Sequence, residues 1–173
     1  SGKNTLWDDG TRVPLVFAGP GVKPGQVCAQ PAELLDIYPT LAELCELKSV
    51  PEEIEGLSLV PQLKDAKAPR TRPAITSHGP GNDSARTETH RYIRYADGSE
   101  ELYDMRNDPH EFKNIASDPK TKKLRKKLAA YLPKNPAKPV KGSRSRLIER
   151  KEDGSVYWEN TLIEKDAKIP EYE

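Results

Sequence analysis

Apolar positions fall into distinct regimes along the chain. Residues 13–18 form a short apolar run closed by Gly19-Pro20-Gly21, a pattern that predicts a buried strand running into a turn. Pro14 then stands at the strand's start, where a missing N–H is tolerated. After a second turn at Lys23-Pro24-Gly25, residues 35–47 set Ile37, Leu41, Leu44 and Cys45 on one helical face. Asp36 is a candidate N-cap, and Pro39 fits a first turn whose N–H groups have no helical partner. A strand followed by a covering helix is an α/β element.

The pattern then breaks. Pro51, Gly56, Pro61 and Pro69 make residues 49–72 a connector with one short helical turn at 60–63. Three strand-like segments follow, at 74–77, 85–95 and 101–104, and Asp97-Gly98 between the last two supplies hairpin chemistry. Arg91, Ile93 and Tyr95 alternate with Tyr92 and Arg94, which predicts a half-buried antiparallel strand. Asn107-Asp108-Pro109 is a turn. Asp118-Pro119 opens a basic amphipathic helix reaching Leu132, with Leu124, Leu128, Ala129 and Leu132 on one side, and Pro133, Pro136 and Pro139 end it. Residues 147–162 read as a hairpin turning at Asp153-Gly154, with partial disorder as the alternative. The expected organisation is therefore 1–50 as the end of an α/β domain, 51–73 as connector, 74–133 as an antiparallel sheet with one helix packed on it, and 134–173 as an extension.

Composition narrows the function classes. Only 35% of residues are hydrophobic against 32% charged, thin apolar material for a free-standing domain of 173 residues, so part of the chain is expected to lean on other polypeptide. Basic and acidic residues nearly cancel, at 28 and 27, which argues against a general grip on nucleic acid. No run of about 18 apolar residues could span a membrane. Ser1 is not an initiator methionine, and no leader pattern follows it, as expected for a chain that begins inside a longer protein. Cys28 and Cys45 show no C-x-x-C spacing and are expected to pack as small apolar groups, with the question of a disulfide between them open.

Three segments carry a family resemblance. Residues 2–7, with Thr11-Arg12-Val13-Pro14-Leu15 and Gly19-Pro20-Gly21, resemble the type I sulfatase stretch that follows the last metal-binding aspartate. Leu34-Leu35-Asp36-Ile37-Tyr38-Pro39-Thr40-Leu41 is similar to the helix that comes next in that family. Arg91-Tyr92-Ile93-Arg94-Tyr95, Glu101-Leu102-Tyr103-Asp104 and Asn107-Asp108-Pro109-His110-Glu111 resemble its small carboxy-terminal subdomain. Each string alone is weak; three in the family's order are strong. The resemblance implies the end of an alkaline-phosphatase-like α/β sheet plus a small antiparallel sheet with one packed helix. It also implies hydrolysis of sulfate esters of sulfated carbohydrates or small molecules, calcium and a formylglycine nucleophile, and a periplasmic or secreted setting.

The machinery the resemblance implies is incomplete in these residues. No C/S-x-P/A-x-R motif occurs, since Cys28 precedes Ala29-Gln30-Pro31 and Cys45 precedes Glu46-Leu47-Lys48. The calcium-binding aspartate pairs are absent, and Asp8-Asp9, which follow Lys3, read as acids in a turn or at a helix start. Lys3 falls on the family's lysine that contacts the substrate sulfate, where an ammonium neutralises a sulfate oxygen and steadies the departing alkoxide. Lysine chemistry alone would make it a solvated residue near a terminus.

His78, in the Gly-rich stretch Ser77-His78-Gly79-Pro80-Gly81-Asn82, is a second candidate for substrate contact, because a loop histidine after a strand can be aimed into a cleft; packing or local capping is the competing reading. Asn82 belongs to the same loop. Arg86 could grip a substrate anion with paired hydrogen bonds or serve a structural salt bridge. His90 and His110 are assigned surface or packing roles, and no residue of the chain is assigned as a metal ligand. The basic run 120–127 resembles a heparin-type patch but lies on a helix with a leucine face, so it reads as a solvated side. Tyr92, Tyr95, Tyr103 and Trp158 read as core.

Two other functions compete with the sulfatase reading. One is a phosphatase or phosphonate hydrolase of the same superfold. The other is a non-catalytic interaction module, which would unfold cooperatively alone, whereas a sulfatase fragment would expose the strand at 13–18 and aggregate.

Overall fold

A computed structural model describes residues 5–49, 51–135, 148–158 and 161–164. The chain divides into two compact units, Ser1–Ala137 and Lys138–Glu173.

The first unit is built on a four-stranded antiparallel meander, β1 (Ala74–Ser77), β2 (Asp83–Arg86), β3 (His90–Arg94) and β4 (Glu100–Asp104), in that spatial order. The β3–β4 hairpin closes at Asp97-Gly98 as expected: Gly98 takes a φ of +85°, and Asp97 accepts from the Ser99 backbone N–H at 2.8 Å. The β2–β3 turn was not foreseen, because the sequence there has no Gly, Pro, Asn or Asp and reads as one strand across 85–95. Thr87 makes the turn. Its hydroxyl accepts from the His90 N–H at 2.9 Å, while its own N–H donates to the His90 carbonyl at 2.8 Å.

Both faces of the meander are covered, not one as the alternation predicted. On one face Ala85, Tyr92 and Leu102 pack with Leu128 and Leu132 around the helix α4 (Lys122–Ala129), and Leu124 and Ala129 pack against them. Tyr92 and Leu102 are fully buried, and burial of such side chains contributes about 1.5–3 kcal/mol each. Asp118 caps this helical segment by accepting from the Lys120 N–H at 2.9 Å. On the other face Ile93, Tyr103 and Met105 pack with Leu6 from the start of the chain. The outer edge of β4 is blunted by chain folding back, with Leu102 N–H donating to Asn114 Oδ1 at 3.0 Å and Ile115 N–H to the Leu102 carbonyl at 2.8 Å.

Residues 12–29 depart from expectation. No strand forms at 13–18, and Val13, Leu15 and Val16 are exposed. A strand needs a hydrogen-bonded neighbour, and none of β1–β4 pairs with residues 13–18. The next helix is likewise inverted. A 3₁₀ turn (Leu34–Asp36) leads into α2 (Ile37–Leu44), yet Leu34, Leu35, Tyr38, Leu41 and Cys45 face outward while Asp36, Thr40 and Ala42 are buried.

Asp36 does not cap α2. Its carboxylate accepts from Glu33 N–H at 2.7 Å, Leu57 N–H at 2.8 Å and Arg70 at 2.8 Å, pinning the connector and α3 (Val60–Lys64) to α2. Thr40 continues the pin, donating to the Asp36 carbonyl at 2.6 Å and accepting from Leu59 N–H at 2.8 Å. Gly56 is required by close approach, since a Cβ there would lie 2.0 Å from the Leu35 carbonyl oxygen. Replacing Thr40 with Val leaves the buried Leu59 N–H without an acceptor, and a loss of about 1–3 kcal/mol is expected in chemical denaturation.

The second unit is a three-stranded antiparallel sheet, β5 (Ile148–Arg150), β6 (Val156–Trp158) and β7 (Thr161–Ile163). The hairpin at Asp153-Gly154 forms as expected, with Lys151 lying 4.2 Å over the Tyr157 ring, and β7 adds a strand the sequence reading did not include. No described helix is long and apolar enough to cross a membrane.

Candidate functional site

The start of the chain is fastened to the sheet by buried charge. Immediately after Leu6, the short helix α1 (Asp8–Thr11) brings Asp8 against β2 and β3. Arg91 lies on the same strand face as Ile93 and is 2% exposed. Its guanidinium donates to the Leu6 carbonyl at 2.7 Å, to Thr11 Oγ1 at 3.2 Å and to the Asp8 carboxylate, and its Nε lies 2.6 Å from Glu111 Oε1. Glu111 Oε2 closes the circuit by accepting from Asp8 N–H at 2.8 Å. Arg86 reaches Asp8 Oδ1 from β2 at 3.1 Å. Two guanidiniums and two carboxylates thus tie three distant segments together.

Glu111 achieves this with a φ of +58°, a left-handed backbone that is uncommon for a residue with a Cβ. The strain persists because its carboxylate is held on both sides.

The electrostatics follow from this packing. Burial alone would raise the Asp8 carboxyl, but hydrogen bonds and charge from Arg91, with the charge of Arg86, hold it below the ordinary carboxylate range. Burial pushes Glu111 up, against the pull of the Asp8 N–H and Arg91. Burial lowers Arg86, with Asp8 opposing.

The sign for stability is then set. A depressed carboxylate stabilises fully above its unfolded value, about 3.9, and that stability is lost as pH falls through the lower folded value. Glu111 has the opposite sign, because its protonation on acidification favours the folded form. Acid loss of the docked segment is therefore expected only below about pH 4. In a fluorescence-monitored acid titration, the stability gap between the native chain and Asp8→Asn should close in that range.

The candidate residues occupy separate places. Lys3 lies outside the described residues. His78 is half-buried in the β1–β2 loop, where its N–H donates to the Asn82 carbonyl at 2.8 Å, and its ring makes no hydrogen bond among the described residues. The Asn82 side chain is engaged in local structure, accepting from Ala96 N–H at 3.2 Å and so joining its loop to the β3–β4 hairpin. Arg86 sits at the opposite end of β2, in the salt bridge to Asp8. The structure brings His78 and Asn82 together, and separates both from Arg86.

Asp8, Arg91 and Glu111 were not among the sequence candidates. One signal was available, since an arginine in phase with Ile93 and Tyr95 on a strand face demands a buried counter-charge.

The donor set does not fit calcium. Among the described residues no three or more His, Cys, Asp or Glu side chains converge where an ion could bind. Asp8 is committed to Arg86 and Arg91, and Asp36 to Arg70 and backbone N–H groups. Cys28 and Cys45 are free and exposed, so they do not pack as small apolar groups.

Comparison with known proteins agrees with this architecture. Residues 2–138 match the family described as N-sulphoglucosamine sulphohydrolase, C-terminal. A sulfatase of Formosa agariphila is 40% identical over 135 residues, covering 78% of this chain and 26% of that protein. A Delta 4,5-hexuronate-2-O-sulfatase of Bacteroides thetaiotaomicron is 38% identical over 135 residues, covering 69% of this chain and 27% of that protein. The solved structure of a 2-O GAG sulfatase superposes with a TM-score of 0.52 at 34% identity, covering 66% of this chain and 27% of that one. The chain spans about a quarter of the length of these relatives.

Proposed function

The chain belongs to the sulfatase family through its N-sulphoglucosamine sulphohydrolase C-terminal domain, and from that premise we propose that it completes an enzyme hydrolysing sulfate esters of sulfated carbohydrates, contributing Lys3 to the sulfate pocket. The observation that carries the reading is the match across residues 2–138, which runs from the Lys3 segment through the meander to the end of α4. The names of the relatives, a hexuronate-2-O-sulfatase and a 2-O GAG sulfatase, favour a sulfated sugar. Sulfate ester cleavage builds charge on the leaving oxygen, so a positioned ammonium has its largest effect in the transition state. The docking of Leu6 and Asp8 fixes the chain within a few residues of Lys3.

Formylglycine and calcium, implied by the family, would be held by other polypeptide, because the described residues fit neither. The exposed apolar side chains of two segments, Val13, Leu15 and Val16 in one and Leu34, Leu35, Tyr38 and Leu41 in the other, support the same division of labour. Apolar side chains clustered in this way along a segment favour contact with further protein. A polymeric, highly charged substrate does not cross membranes, and this favours action in the periplasm or outside the cell.

The test joins the chain to the upstream catalytic residues and offers matched sulfate, phosphate and phosphonate monoesters, including 2-O-sulfated unsaturated disaccharides. Preferential sulfate release is expected. Preference for phosphonate or phosphate would support a hydrolase of the same superfold, and no turnover would leave the interaction module.

A further inference from the structure

The helix α4 and the turn before it carry a charge pattern that helix stability explains only in the last turn. Residues 120–127 hold Lys120, Lys122, Lys123, Arg125, Lys126 and Lys127 and no acid, in a chain whose net charge is only +1. Arg125 is paired with Glu100. The five lysines are exposed and form no salt bridge among the described residues. Lys122 and Lys126, and Lys123 and Lys127, stand four apart, where like charges cost about 0.2–0.5 kcal/mol per pair. Lys122 and Lys123 in the first turn also oppose the helix dipole, while Lys126 and Lys127 in the last turn suit it. An ordinary solvated helix face interleaves acids and escapes both costs.

A groove of about 270 Å³ adjoins this ridge, between the carboxy-terminal end of α4 and the β2–β3 turn. Arg72, Thr87, Glu88, His90, Lys127 and Tyr131 contribute to its walls; Arg72 is paired with Glu33 at 3.0 Å, so Lys127 is the cation the groove shares with the ridge. Tyr131 is 41% exposed and shares the groove with Lys127. Hydroxyls and an aromatic ring in a shallow groove beside a row of lysines suit an anionic sugar, with stacking on the ring and hydrogen bonds donated by the lysines to its sulfates.

We propose that the α4 lysines and the adjoining Tyr131 groove form a binding surface for a sulfated polysaccharide chain. The surface rests on the proposed sulfatase reading for its ligand class and on the unpaired lysines for its location. Successive sulfates would be met along the ridge at intervals of about 6 Å, the rise of one i to i+4 step. Binding would fall steeply as salt screens the contacts.

The test titrates the polypeptide that includes the upstream catalytic residues by calorimetry with heparin and dermatan sulfate oligosaccharides, their desulfated counterparts and a DNA duplex of matched charge. A combined Lys122→Gln, Lys123→Gln, Lys126→Gln and Lys127→Gln variant removes charge while keeping good helix formers, and circular dichroism verifies its fold. Expected are salt-sensitive binding of sulfated oligosaccharide, a loss of at least about tenfold in the variant and a smaller loss in Tyr131→Ala. Undiminished binding by the lysine variant overturns the proposal, as does no binding by the native protein or equal affinity for the DNA. Turnover of a small sulfate ester by the polypeptide carrying the upstream residues is the separate arm. Polysaccharide binding without that turnover sinks the sulfatase reading alone, and turnover with no polysaccharide binding sinks this surface alone.

Discussion

Replacing Arg91 with methionine is expected to cost about 3–5 kcal/mol of stability, the usual penalty for removing one partner of a buried ion pair. The reason lies in what the substitution leaves behind. Asp8 keeps a cation, because Arg86 remains 3.1 Å from its carboxylate. Glu111 loses its cation while still holding a strained backbone. The Leu6 carbonyl loses its donor as well. Adding Glu111→Gln should therefore recover part of the loss, a non-additive pair visible in a double-mutant cycle by urea denaturation. Arg91→Lys should fall between, since an ammonium keeps the charge but cannot serve four acceptors at once. Additive losses for Arg91→Met and Glu111→Gln would mean the two do not act as a unit.

Lys3→Ala is expected to lower kcat/KM for a sulfate ester by about 100-fold or more in the polypeptide that includes the upstream catalytic residues. An ammonium that stabilises developing charge acts mainly in the transition state, so the loss should appear chiefly in kcat. A melting-temperature comparison of the two proteins separates this loss from a loss of fold. Arg91→Met should lower turnover through a different route, by loosening the segment that carries Lys3, and its effect should grow with temperature as docking weakens. Steady-state kinetics at two temperatures separates the two.

The antiparallel subdomain was legible because its information is local. Asp97-Gly98 specifies a hairpin, Asp118-Pro119 a helix start, and Leu124, Leu128 and Leu132 the covering face. The turn at Thr87 escaped notice because a threonine hydroxyl, not a glycine, closes it. The run at 13–18 carries strand chemistry but pairs with none of β1–β4, and propensity without a hydrogen-bonded neighbour does not make a strand. Burial of Asp36 and Thr40, with the leucines outside, reverses the hydrophobic reading of α2 for a related reason: the apolar face is available to other protein, and the polar face holds the connector.

The anchoring site was illegible for the opposite reason. Asp8 and Arg91 are 83 residues apart, and nothing local to either names the other. His78 and Arg86 are close in sequence yet stand at opposite ends of β2, because three residues of extended strand separate the loop from the turn.

The affinity of the polypeptide bearing the upstream residues for inorganic sulfate, compared between native protein and Lys3→Ala by calorimetry, goes most directly to the sulfate pocket. A loss of about tenfold or more at unchanged melting temperature is the predicted result, the weight of one charge-assisted contact. Equal affinity in the two proteins would place the Lys3 ammonium away from the bound anion and contradict the account.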